Sequence, residues 1–226
     1  MPHTRSLATL AAIALALSAA GAARAPRPHP APAPAAPRAQ APDPLLERAD
    51  AGRIQGSPSA KVWLIEASDF QCPYCKEWHD ESYDTIVKEY VSTGKVRLAF
   101  LNDPLSMHQY SMQAAEAAMC ASVQDKFWPM HQALFATQHQ WEVLRDPAPF
   151  FDSLAVKAGV NAADWRKCVS THATRPLIDA DKDRLRRSGV EATPTFFIGS
   201  VKMEGVQPIA VMRKALDDAL AKAANP

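Results

Sequence analysis

The sequence predicts an α/β fold: a short sheet with helices on both faces, interrupted by a helical insertion. Three observations predict it. Residues 61–67 (Lys-Val-Trp-Leu-Ile-Glu-Ala) form a nearly continuous apolar run, as in a strand buried on both faces. A second such run, 95–101, is followed by a long block with helical periodicity only. Beyond that block the β-prone segment 194–198, the turn Gly199-Ser200 and 201–204 read as a hairpin, and a last amphipathic stretch follows.

Length and charge set bounds first. The chain has 226 residues and a formal net charge of +1, so it carries a substantial core and no nucleic-acid footprint. Residues 1–23 have the layout of a secretory signal peptide: Arg5 and no acid, an apolar run from Leu7 to Ala20, then small residues, with cleavage after Ala22 or Ala23. The alternative is an uncleaved membrane anchor, against which the run falls short of the roughly 20 residues a span needs. No cysteine follows the run, which argues against a lipoprotein. Residues 24–44 are mostly Pro and Ala and cannot build a core, so they read as a disordered linker. The folded domain is expected over 45–226, with the helical insertion at about 104–175. Export makes the chain periplasmic or secreted, where four cysteines can be oxidised.

The elements follow in order. Residues 53–56 read as a short strand, with a turn at Ser57-Pro58-Ser59 before the buried strand. A helix is expected from Cys72 to Val91, ending near Gly94. The strand 95–101 is closed by Asn102-Asp103-Pro104. Met112, Ala115 and Met119 share one helix face; Phe127, Met130 or His131, and Leu134 share the next; Phe150, Leu154 and Val156 suggest a third. Asn161 can cap a helix that groups Trp165, Cys168 and Val169. A charged helix over 177–187 ends at Gly189, its Arg184, Arg186 and Arg187 reading as a solvated face at a helix end. Ile209, Met212, Leu216 and Leu220 line the last helix. Trp63, Trp128 and Trp165 are expected in the core, and His108 and His131 at helix ends or in the core.

Cys72-Pro73-Tyr74-Cys75 stands where the buried strand gives way to a helix. A thiolate at Cys72 would face unpaired backbone N–H groups and the positive end of the helix dipole. Pro73 suits the first turn, where its missing N–H costs nothing. The expectation is an exposed Cys72 with a lowered pKa and a more buried Cys75 that resolves mixed disulfides. A stabilised thiolate favours the reduced pair and makes the disulfide an oxidant. Two other readings compete: a copper or zinc clip made of Cys72, Cys75 and His79, and a structural staple across a loop too small to add much stability. Glu66, inside the apolar strand six residues before Cys72, would be a buried acid able to relay a proton to Cys75; an edge-facing Glu without a role is the alternative. Before the last hairpin, Thr193-Pro194 is the kind of bond that can be cis, leaving the Thr193 backbone open to an added strand. The local sequence alone favours trans.

Residues 62–75 (Val-Trp-Leu-Ile-Glu-Ala-Ser-Asp-Phe-Gln-Cys-Pro-Tyr-Cys) and 192–199 (Ala-Thr-Pro-Thr-Phe-Phe-Ile-Gly), in that order, resemble the DsbA-like thiol–disulfide oxidoreductases of the thioredoxin-fold superfamily. The likeness runs from about 53 to 220. Ala114-Ala115-Glu116-Ala117-Ala118-Met119-Cys120-Ala121, followed by Lys126-Phe127-Trp128, looks like the insertion of that family. The resemblance implies a thioredoxin-like fold and three catalytic residues: Cys72 as nucleophile, Cys75 as resolving thiol and Glu66 as buried acid. It makes Pro194 a cis-proline, reversing the local reading. Thr193, Pro194, Pro73 and Tyr74 become the substrate-binding residues. Tyr74 stands where the best-known oxidases have His, which suggests a milder oxidant. Thr193 looks more like the disulfide isomerases, but only a Pro/Ala tether precedes the domain. Cys120 and Cys168 would form a second, structural disulfide, as in relatives with four cysteines; two buried reduced thiols are the alternative. No cofactor is expected. The implied partners are client proteins with thiols or disulfides and a membrane redox protein that recycles the Cys72–Cys75 pair. A monomer is expected. The direction favoured is oxidation, with a periplasmic reductase as the alternative.

Overall fold

The computed structural model describes residues 43–224. The expected signal peptide and most of the Pro/Ala linker lie outside the described residues. All the elements below belong to the unit Ala41–Pro226.

Five strands form one sheet in the order β1-β3-β2-β4-β5. They are β1 Ile54–Gln55, β2 Val62–Ser68, β3 Val96–Asn102, β4 Thr195–Ile198 and β5 Val201–Glu204. The central β2 pairs parallel with β3, with Glu66 opposite Phe100, and antiparallel with β4, with Glu66 opposite Phe196. Because neighbours in register share a face, Glu66 stands on one face of the sheet between two aromatic rings.

That face carries Leu64, Leu98, Phe100, Phe196 and Ile198, all buried. Two helical elements cover it. The first opens with α2 (Pro73–Trp78) and passes through π-helical turns at His79–Tyr83 and Val87–Val91, with α3 (Asp84–Ile86) between them. A single α-helix was expected there; the wider turns have no counterpart in the hydrophobic period. The second is the C-terminal helix (Ile209–Ala224), which buries Met212 and Leu216 against the same cluster. On the opposite face Ile65, Ala67, Leu101 and Phe197 meet Leu185 of the charged helix Arg175–Arg187.

Helices fill the space between β3 and β4. In chain order they are α4 (Ser111–Ser122), α5 (Phe127–Ala136), α6 (Gln138–Trp141), α7 (Ala148–Ala158), α8 (Ala162–Ser170) and α9 (Arg175–Arg187); the C-terminal helix is α10. Helix α4 is the hub. Its run of small residues, Ala114, Ala115, Ala117, Ala118 and Ala121, is almost wholly buried, which lets several helices pack closely around it. Asn161 caps α8 through its side chain, which accepts from Asp164 N at 3.1 Å. Gly159 ends α7 at φ +85°, a left-handed conformation that favours glycine.

Several expectations need correction. The segment before β1 is a helix, α1 (Pro44–Gly52), capped by Asp43 with Pro44 in its first turn. The inward face of α7 is Phe151, Leu154 and Ala155, while Val156 is 51% exposed. Trp63 is half-buried, its ring covered by the Arg97 guanidinium at 4.6 Å. The tryptophans without exposure are Trp78 and Trp141.

Cys120 on α4 and Cys168 on α8 are joined by a disulfide, 48 residues apart in sequence. A loop of that size should stabilise the fold by about 4 kcal/mol on the chain-entropy model. Reducing that bond, or replacing both cysteines with Ala, is expected to lower the urea midpoint accordingly. A change under about 1 kcal/mol would mean that the reduced chain is already ordered around α4.

Candidate active site

The site is built where β2 ends and α2 begins. Cys72 occupies the N-cap position in extended conformation (φ −72°, ψ 124°), and its carbonyl accepts from Lys76 N at 3.1 Å. Cys75 lies one turn along. Both are free thiols and both are buried. Cys72 is only 3% exposed, where an exposed thiol was expected. The reason is tertiary: Thr193 approaches from the segment before β4, and its carbonyl accepts from Cys72 Sγ at 3.4 Å. The Thr193–Pro194 peptide bond is cis. Tyr74, between the cysteines, is 60% exposed, and Pro73 is exposed beside it.

The two thiols have been driven apart in acidity. Cys72 is pulled down from 9.0 to about 6. The hydrogen bond from the Cys75 thiol is the largest cause; burial opposes it, and Thr193 and the backbone amides of Cys75 and Tyr74 add to the lowering. The helix amides were expected to hold the thiolate; the second thiol contributes more than either backbone amide. Cys75 is raised well above the usual thiol range by burial and by its neighbour Cys72. Glu66 is fully buried, and burial pushes its carboxyl up to about 8, with Ser68 pulling the other way. Ser68 also stabilises the Cys75 anion. Ser68 stands on the same side of β2 as Glu66, its buried hydroxyl without a hydrogen-bond partner among the described residues.

Three groups that the sequence did not reveal hold the loop in place. The Asp69 carboxylate, fully buried, accepts from Gln71 N at 2.8 Å and Leu105 N at 3.0 Å, and bonds to His108 Nδ1 at 2.7 Å. The Asp69 amide in turn points at Cys75 Sγ, at 3.5 Å. Gln138, on α6, donates through Nε2 to the carbonyls of Phe70 at 2.7 Å and Cys72 at 3.1 Å. Nothing in the local sequence around His108 or Gln138 pointed at the cysteines, because both reach the loop from the insertion. Ser68 was legible in principle, two residues from Glu66 and so on its side of the strand.

His79 is not a surface residue of the helix. Its side chain is 12% exposed, stacked on Tyr83 at 5.1 Å and Phe135 at 4.9 Å. Among the described residues no group of three or more His, Cys, Asp or Glu could hold a metal ion. The clip of Cys72, Cys75 and His79 therefore has no support in the geometry.

A two-thiol turn at a helix start, seated on a central parallel strand and faced by a cis-proline segment, defines a thioredoxin-fold protein with a DsbA-like helical insertion. The thioredoxin family model matches residues 48–218, and the chain belongs to that family. The probable disulfide bond formation protein D of Bacillus cereus is 25% identical over 180 residues, covering 74% of this chain and 78% of that protein. The Na(+)/H(+) antiporter NhaA 3 of Salinispora tropica is 32% identical over 175 residues, or 77% of this chain; the chain spans only 26% of that protein's length. Among solved structures, oxidised BdbD from Bacillus subtilis superimposes with a TM-score of 0.69 at 22% identity, over 76% of this chain and 94% of that one. Among the described residues, no helix is long and apolar enough to cross a membrane.

Proposed function

We propose that this protein is an exported thiol–disulfide oxidoreductase that exchanges a Cys72–Cys75 disulfide with client thiols, acting as an oxidant. One observation carries the reading: two adjacent thiols of opposite acidity, Cys72 at about 6 and Cys75 well above the usual range, in one turn. The anion at Cys72 is the nucleophile and leaving group, and the reduced state gains from holding it, so the disulfide is the reactive form. The name of the Bacillus cereus relative, a disulfide bond formation protein, supports the same direction.

In the oxidising cycle a client thiolate attacks Cys72. Its sulfur bonds to Cys72 Sγ, the bond to Cys75 breaks, and the Cys75 sulfur leaves as an anion. Glu66, protonated at neutral pH, supplies the proton that neutralises it. A second client thiolate then attacks the client sulfur and releases Cys72 as a thiolate. The client loses two electrons and the cysteine pair gains them. Thr193 beside cis-Pro194, with Pro73 and the exposed Tyr74, offers an extended edge on which a client strand can lie. Recycling requires a further oxidant, for which a membrane redox partner is proposed, and the signal-like segment 1–23 would deliver the domain to it.

Two measurements test this. Cys75→Ser is expected to accumulate Cys72-linked mixed disulfides with clients, resolved on non-reducing gels; no adducts would refute the exchange. The reduction potential of the pair is expected near those of periplasmic oxidants, about −120 mV for the strongest, and a value near the −270 mV of thioredoxin would assign it to reduction instead.

A further inference from the structure

Behind the cysteine pair lies a set of buried polar groups that the exchange steps above leave unused. His131, on α5, has no exposed surface, and neither ring nitrogen has a hydrogen-bond partner among the described residues. Aromatic rings enclose it: Phe70 at 5.8 Å, Tyr83 at 5.0 Å, Phe100 at 5.2 Å, Trp128 at 5.2 Å and Phe135 at 5.0 Å. A neutral imidazole always carries one N–H and one bare nitrogen, and leaving both unpaired in the interior is costly. Phenylalanine would fill such a cage without that cost. An imidazole kept there calls for another explanation.

Its neighbours supply one. Glu66 stands in register with Phe100, whose ring is edge-on to His131, and both Glu66 oxygens are likewise unpartnered. Tyr83 is close enough to Glu66 to feel its charge, and its ring faces both His131 and His79. The Tyr83 hydroxyl accepts from Gln55 Nε2 at 2.9 Å, so its own proton is free for a second partner. His79 lies 5.3 Å from His131 between ring centroids. On its outer side His79 Nδ1 is 3.5 Å from Asp80 Oδ1, at the protein surface. The charged groups facing His79 are Asp80, Asp84 and Lys76, and the one facing His131 is His79. Glu66, Tyr83, His131 and His79 thus form one cluster of proton-carrying side chains behind the cysteine pair, with Asp80 at its surface end.

We propose that His131 and His79 are relay residues that pass a proton between Glu66 and solvent each time Cys75 changes state. This rests on the exchange activity proposed above. When Cys75 resolves a mixed disulfide, its S–H bond breaks and its sulfur bonds to Cys72 Sγ. The bond from Cys72 to the outer sulfur breaks, and that sulfur leaves as a thiolate. The Cys75 proton goes to Glu66 after the relay has carried that residue's own proton to water, so that Glu66 is protonated again when the step is complete. In the oxidising direction the same path reloads Glu66 after it has protonated Cys75. Neither histidine touches the reacting sulfurs; both act through Glu66.

Stopped-flow reaction of the reduced protein with excess oxidised glutathione separates two steps: attack by Cys72, then resolution by Cys75. His131→Phe, which keeps the aromatic packing, is expected to slow the second step by about a hundredfold, the lower reach of proton-transfer effects. The first step and the pH midpoint of Cys72 alkylation should not move. Added free imidazole should restore the second step in His131→Ala. If His131→Phe fails to fold, His79→Gln, nearer the surface, is expected to show the same selective slowing. An unchanged second step in the folded variants, or equal slowing of both steps, would overturn the relay. A wild-type protein that does not react with glutathione at all would instead defeat the exchange reading itself.

Discussion

Cys72→Ser is expected to reduce thiol–disulfide exchange by at least about 10³-fold, because the thiolate and not the hydroxyl is the nucleophile. The wild-type reaction should follow the Cys72 titration. Alkylation by iodoacetamide is expected to rise with pH through about 6 and level off above it, where an ordinary thiol would rise through 9.0. A linked change in stability should accompany it. The folded-state pKa lies below the unfolded one, so the reduced fold gains a contribution fully present above about 9 and lost as the pH falls through about 6. Urea melts of the reduced protein between pH 5 and 9 would show stability climbing relative to Cys72→Ser across that window. A flat difference, or an alkylation midpoint near 9, would show that the Cys72 sulfur is an ordinary thiol.

Arg53→Ala is expected to destabilise the fold by about 3–5 kcal/mol. Arg53 is only 2% exposed and Asp181 is not exposed at all. The guanidinium donates twice to the Asp181 carboxylate, with Nη2 to Oδ1 at 3.0 Å, and Nε reaches Asp50 Oδ1 at 3.0 Å. Asp181 also accepts from Asn102 N at 3.0 Å. This one ion pair therefore joins the end of α1, the end of β3 and the middle of α9. Removing the arginine strands a carboxylate in the interior. The double change Arg53→Met with Asp181→Leu should recover much of the loss, since an apolar pair of similar volume carries no desolvation cost. Urea midpoints of the single and double variants decide this. A loss below 1 kcal/mol in Arg53→Ala would mean that water already reaches Asp181.

The two sites differ in how far apart in the chain their parts lie. Cys72 was legible because strand, cysteines, proline and helix start are contiguous, and the physics of a helix N-terminus acts over a few residues. The strand 62–68 was legible too, since burial on both faces writes an unbroken apolar run. Arg53 and Asp181 were not: they stand 128 residues apart, and neither segment carries a sign of the other. The two π-helical turns, the helix α1 and the swap of Val156 for Phe151 and Ala155 on α7 escaped for a related reason. Those choices depend on what packs opposite, and hydrophobic period alone does not encode the opposing surface.

By itself the sequence determined the α/β order, the place of the insertion between strands, and the pair of cysteines at the head of a helix. These follow from local periodicity and from the fixed geometry of one helical turn. Only the tertiary structure decided that Cys72 is buried beneath Thr193, that the Cys75 thiol outweighs the backbone amides in stabilising the Cys72 thiolate, and that Asp69, His108 and Gln138 fasten the loop. The first and the last depend on segments distant in the chain meeting within hydrogen-bond range; the second depends on how deeply each sulfur is buried, which is set by the whole packed interior rather than by neighbours in sequence.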